Sequence, residues 1–223
     1  MPQSNHLIFV NYRGSDDIWA TEFVYARMTE AFGADAVFKA GNAIGPGEVY
    51  SPILQEKAAF CPVMLVCMGV SWLAVQDADG NRRLDSPEDW VRREITLSLR
   101  AGNSVVPVLF GNHGEVSVPK PAELPDDLSS LIDRQAWRLA PGGGLDMTMP
   151  RLIEKLIELE PALGRRRAAL RSGRSGPSDG TTPTGDGDRG PDGSSPIFHI
   201  DRVDGDVVGR DKVVHPRADG THL

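Results

Sequence analysis

The sequence predicts a doubly wound, flavodoxin-like α/β domain: a five-stranded parallel sheet with helices on both faces. Three observations carry that expectation. Five short strand-like runs alternate with helix-length segments between residues 5 and 160. The clearest of the runs, VMLVCM at 63–68, is apolar throughout, as a strand covered on both faces should be. With 40% hydrophobic and 25% charged residues, the chain has an ordinary globular composition.

Each element has a local reason. Leu7–Tyr12 is an apolar strand, and Asp17–Phe32 is an amphipathic helix with Ser15, Asp16 and Asp17 as capping candidates and Gly33 closing it. Ala36–Phe38 is a short strand, followed by the Gly-rich loop AGNAIGPGE and a helix from about Val49 to Phe60. Val63–Met68 is the third strand. A polar loop, QDADGNRRLDSPED, leads to a helix over Pro87–Ala101, with Ser86 as N-cap and Asp89 three residues on. Gly102 and Asn103 end that helix, Ser104–Phe110 is the fourth strand, Gln135–Leu139 the fifth, and Thr148–Leu159 the last helix.

Composition changes beyond residue 160. Ser172–Pro196 holds no apolar side chain and reads as a disordered linker, preceded by a basic run of Arg165, Arg166, Arg167, Arg171 and Arg174. The expected layout is a domain over 1–160, a basic run and linker over 161–196, and a short β-prone tail over 197–223. In that tail Phe198 and Ile200 alternate, Asp204-Gly205 signals a turn, and GDVVG loosely resembles short amyloid-type signalling motifs. Recruitment of a partner through the tail is one reading; a disordered tail with a transient hairpin is the other.

Several function classes are excluded at this level. The net charge is −7, and residues 1–160 carry 14 basic against 22 acidic side chains, so no nucleic-acid partner is expected. The longest apolar run, Val63–Val70, is far short of the roughly 20 residues that span a bilayer. The N-terminus lacks the pattern of a signal peptide, and a cytoplasmic location is expected. Cys61 and Cys67 are expected on one face of one strand, about 20 Å apart and unable to pair. No HExxH, CxxC pair, phosphate-loop lysine or GxGxxG is present, so no metal or cofactor is expected. Asp77, Asp79 and Asp85 lack the bidentate Glu of a calcium loop and read as solvated. A phosphate-accepting receiver domain would need acids where Asn11-Tyr12 and Met68-Gly69 stand.

In a doubly wound sheet ligands bind beyond the carboxyl ends of the strands, which directs attention to Asn11-Tyr12-Arg13-Gly14, the AGNAIGPG loop, Gly69–Trp72 and Gly111-Asn112-His113. There LIFVNYRGSDD resembles the first strand and loop of TIR (Toll/interleukin-1 receptor) domains. VFKAGNAIGPGE is similar to their BB loop, with Ile44, Pro46 and Gly47 at its core. MGVSWLAVQDADGNRRLDSPEDWVRREI resembles the bacterial branch of that family, and SVVPVLF its fourth strand. The likeness runs in order from about residue 6 to 160.

The resemblance implies an enzyme that cleaves NAD at the nicotinamide–ribose bond. It maps the catalytic glutamate onto Glu94, an aromatic neighbour one turn earlier onto Trp90, and nucleotide contacts onto Tyr12 and Arg13. It also implies homo-oligomers built through TIR–TIR contacts, in which the BB loop with Ile44, Pro46 and Gly47 completes a neighbour's site in signalling or defence. NAD is then substrate, not cofactor. Three positions depart from the family: Asn11 replaces a serine, Gly14 an arginine, and Ala40 an aspartate of the BB loop.

The chemistry is coherent by itself. Nicotinamide leaves a pyridinium as a neutral molecule and needs no general acid, so one carboxylate can do what ordinary glycosidases divide between two. That carboxylate holds ribose hydroxyls and stabilises the oxocarbenium. Spacing alone allows other roles: a solvated charge for Glu94, packing for Trp90 and Trp72, and an ion pair with Asp16 or Asp17 for Arg13. A non-catalytic interaction module is the alternative function, with base exchange or deoxyribosyl transfer on a related sheet a distant third.

Overall fold

A computed structural model describes residues 6–39, 50–112, 114–140 and 145–174. Ile44, Pro46, Gly47, Ala40 and the 197–223 tail lie outside the described residues, as does the linker from residue 175 onward. Five strands form one sheet: β1 (Ile8–Asn11), β2 (Val37–Lys39), β3 (Val63–Met68), β4 (Ser104–Phe110) and β5 (Trp137–Leu139). Their spatial order is β2-β1-β3-β4-β5, and every pairing is parallel. The doubly wound α/β expectation is met.

The helices are α1 (Ile18–Phe32), α2 (Tyr50–Phe60), α3 (Trp90–Arg100), α4 (Leu145–Leu159) and α5 (Pro161–Arg174). They divide the core into two apolar layers. On one face Val24, Met28 and Phe32 of α1, with Leu152, Leu156 and Leu163 of α4 and α5, pack against Ile8, Val10, Leu65 and Val108. On the other, Leu54 and Ala58 of α2 and Val91 and Ile95 of α3 cover Phe9, Met64, Val66 and Leu109. The sheet residues alternate between the layers because successive strand side chains point to opposite faces.

That alternation positions the site. Along β1, Ile8 and Val10 belong to the α1 layer and Phe9 to the α3 layer. The chain leaves β1 for β2 on one side and later enters β3 on the other, so the strand order reverses between β1 and β3. A crevice beyond the carboxyl ends of these two strands is where such sheets bind ligands.

Several boundaries differ from the expected ones, each for a physical reason. The helix expected over Pro87–Ala101 begins at Trp90, because Asp89 rather than Ser86 is its N-cap: the Asp89 carboxylate accepts from the Arg92 amide at 3.0 Å. Ser86 closes a preceding 3-10 turn, Arg83–Asp85, and its hydroxyl accepts from the Glu88 amide. At the other end Gly102 (φ 77°) and Asn103 reach back to Leu99 and Ser98 carbonyls in a Schellman motif, which sets the stop as expected.

The basic run expected outside the domain is helical and packed upon it. Leu163 is fully buried, the Arg166 guanidinium donates to the Phe32 carbonyl at 2.6 Å and pairs with Asp35, and Arg167 pairs with Glu154. The folded part therefore runs past residue 160. The cysteines also differ from expectation: Cys61 precedes β3 and lies in the α2–α3 layer, whereas Cys67 lies in the α1 layer. Both are free and buried, and burial pushes the Cys61 thiol up to about 12. Among the described residues no helix is long and apolar enough to cross a membrane.

Two measurements check this packing. Leu163→Ala should cost about 2–4 kcal/mol in chemical denaturation, as buried leucines do, whereas a loss under ~0.5 kcal/mol would place α5 off the core. Native protein should leave Cys61 and Cys67 unreactive to a thiol reagent at pH 8, with both reacting in denaturant.

Candidate functional site

The site is built from two short stretches, the end of β1 with its following loop, and the first turns of α3. Asn11 is the last residue of β1 and follows Phe9 toward α3 by the period-two rule. Its side chain is fully buried, and its Nδ2 donates to Glu94 Oε2 at 2.6 Å, with the Val91 carbonyl at 3.5 Å. Glu94 itself is 1% exposed. The solvated-surface role open to it from helical spacing is thereby excluded.

Two residues further along, Arg13 makes a forked ion pair with Asp89. Nη1 donates to Oδ2 at 2.9 Å and Nη2 to Oδ1 at 3.0 Å, and both side chains are buried. The same Asp89 caps α3, and the Arg83 Nε stands 3.4 Å from its Oδ2. Neither Asp16 nor Asp17 is the partner of Arg13. Asp17 caps α1, accepting from the Ala20 amide at 3.0 Å. Asp16 crosses to the β3 loop, accepting from the amides of Gly69 at 2.6 Å and Ser71 at 3.0 Å. Burial raises the Asp16 pKa, while those two amides oppose the shift. A Cβ at position 69 would meet the Asp16 carboxylate at 2.7 Å, so a larger residue there would push that carboxylate off its two amides.

The structure brings some of the expected residues together and separates others. Trp90 lies one turn before Glu94 on α3, half-buried, with the Arg93 guanidinium 5.0 Å from its ring centre. Arg13 reaches the site only through Asp89. Tyr12, expected beside it, alternates to the opposite face, where it is 4% exposed in the α1 layer with the Lys39 ammonium 5.5 Å from its ring. Lys39 in turn pairs with Glu22. Trp72 is a core residue of the α3 layer. Asp77 organises its own loop, accepting from the amides of Asp79 and Asn81, and Asp85 pairs with Arg82.

Two residues of the site were not expected. Asn11 stood out as part of a strand-end loop and as a departure from a motif, with no side-chain role assigned, and Asp89 only as a helix-start acid. A signal for Asn11 was present: an amide side chain at the end of an otherwise apolar buried strand must find a partner. A separate groove of about 390 Å³ lies over the other layer, lined by Trp19, Phe23, Val70, Phe110 and Leu139, with Trp19 and Val70 well exposed. No known protein-family model matches the chain, and no curated protein matches it in sequence.

Arg13→Ala should destabilise the fold by about 3–5 kcal/mol, because it strands a buried Asp89 carboxylate. Urea denaturation checks this, and a change under ~1 kcal/mol would mean the pair is solvated in solution.

Proposed function

We propose that this chain is a TIR-type enzyme that cleaves the nicotinamide–ribose bond of NAD, with Glu94 as the catalytic carboxylate. The observation that carries the reading is Glu94 itself: a buried carboxylate on α3, hydrogen-bonded to the last residue of β1, at the carboxyl end of the sheet where the strand order reverses. Packing does not call for it. An apolar side chain at position 94 would avoid the desolvation of a buried charge, so its presence points to chemistry.

The step needs little else from the protein. The C1′–N bond breaks, its electron pair leaves with nicotinamide, and positive charge develops on the ribose. The Glu94 carboxylate stabilises that oxocarbenium and accepts from ribose hydroxyls. Water adds at C1′ and releases a proton, giving ADP-ribose, or an adenine nitrogen closes the ring to a cyclic product. Trp90 supplies an aromatic wall beside the carboxylate. Arg13 acts at one remove, fixing the start of α3 through Asp89.

Glu94 is covered in the single chain, so substrate must uncover it. This suits an enzyme silent as a monomer and active once assembled, with Ile44, Pro46 and Gly47 at the contact between copies. The tail around 197–215 would bring copies together, in a cytoplasmic signalling or defence setting. The exposed Trp19 and Val70 favour a second reading, a non-catalytic module that signals by homotypic contact alone.

The two readings separate in one assay. Purified protein at high concentration should release nicotinamide from NAD, and Glu94→Gln should lower the rate by two to three orders of magnitude with an unchanged circular dichroism spectrum. A variant within a few-fold of wild type would remove Glu94 from catalysis. A wild type that releases none at any concentration would favour the interaction module.

A further inference from the structure

We infer that Asn11 is a substrate-contacting residue, whose Oδ1 accepts a hydrogen bond from a ribose hydroxyl next to Glu94; this rests on the NAD-cleaving reading above. The orientation of the Asn11 amide is set by its surroundings. One end of it faces two acceptors, Glu94 Oε2 at 2.6 Å and the Val91 carbonyl at 3.5 Å. Only the NH₂ end can sit there, because an amide oxygen in that place would oppose both. The carbonyl end is then committed to the other side.

That Oδ1 is buried and has no hydrogen-bond partner among the described residues. Buried acceptors left without a donor are uncommon in folded proteins and call for an explanation. The packing role of Asn11 is already fulfilled by its Nδ2, so the orphaned oxygen is surplus to the fold. It shares its amide with the nitrogen that meets the Glu94 carboxylate, at the carboxyl end of β1, the end at which such sheets bind ligands.

With Nδ2 spent on Glu94, the Asn11 oxygen and the carboxylate offer acceptors only, and the chemical group that matches them is a pair of neighbouring donors. The cis-diol of a ribose is such a group. Glu94 would take one hydroxyl and Asn11 the other, which orients C1′ against the carboxylate. The site would therefore select ribonucleotides with both hydroxyls free and reject deoxy analogues, whose missing donor leaves Oδ1 unpaired. The serine of the family motif carries a hydroxyl on a shorter side chain and has no amide oxygen to place there, so this contact belongs to the chain's own asparagine.

The test is a cycle between enzyme and substrate. Nicotinamide release is measured for wild type, Asn11→Ala and Asn11→Asp on NAD and on its analogues lacking the 2′- or 3′-hydroxyl of the nicotinamide ribose. Wild type should prefer NAD over at least one analogue by tenfold or more in kcat/KM. In Asn11→Ala that preference should shrink about tenfold, beyond any shared loss of rate. Asn11→Asp keeps an oxygen at the same place and the same volume, so it should keep the preference while kcat falls through the disturbed Glu94. Equal losses on all three substrates in both variants would make Asn11 a support for Glu94 alone and overturn the contact. A wild type inert toward all three would instead overturn the NAD reading itself.

Discussion

The buried fork between Arg13 and Asp89 is the constraint on which the site depends. Two charges removed from water are costly, and only good geometry and full hydrogen bonding offset that cost. The geometry is good and the Asp89 carboxylate is fully engaged, while the Arg13 Nε stays buried with no hydrogen-bond partner among the described residues. The guanidinium meets the carboxylate through two parallel bonds, and the same carboxylate caps α3 and stands close to Arg83. One ion pair thus fixes the loop after β1, the first turn of α3 and the 3-10 turn before it.

Its consequence is felt one rung deeper. Asn11 lies two residues before Arg13, about 6.6 Å back along the chain at strand rise. Glu94 lies five residues after Asp89, about 7.5 Å along the helix at helical rise. The two elements run in opposite directions, as strand and crossover helix must, so the second rung closes where the first fixes it. Asp89 is a cap residue outside the helical repeat, which frees it to face Arg13 while Glu94 faces Asn11. The carboxylate is held by a strand on one side and by its own helix on the other.

The parts legible in the sequence were those written in local pattern. β3 and β4 occupy the expected residues because their apolar runs are bounded by Pro62 and Gly69, and by Asn103 and Gly111. The start of α3 was obscured by Ser86-Pro87, which resembles a helix opening but closes a 3-10 turn. α5 was missed because five arginines mask a helix that needs only Leu163 and two ion pairs to dock. Tyr12 was read as a neighbour of Arg13, although strand alternation sends the two to opposite faces. The Asn11–Glu94 and Arg13–Asp89 contacts span 83 and 76 residues. They exist only through sheet order and register, which no local window contains.

The ion pair seats Glu94 against Asn11, and the side-chain amide signal of Asn11 in a ¹H–¹⁵N spectrum reads that contact directly. The informative comparison is with Arg13→Met/Asp89→Ser, which removes both charges together while serine still caps α3. The double variant should fold, and the Asn11 amide protons should shift toward the positions of an amide not bound to a carboxylate. An unchanged Asn11 signal in a folded double variant would show that Glu94 is held without the pair, and would contradict the account.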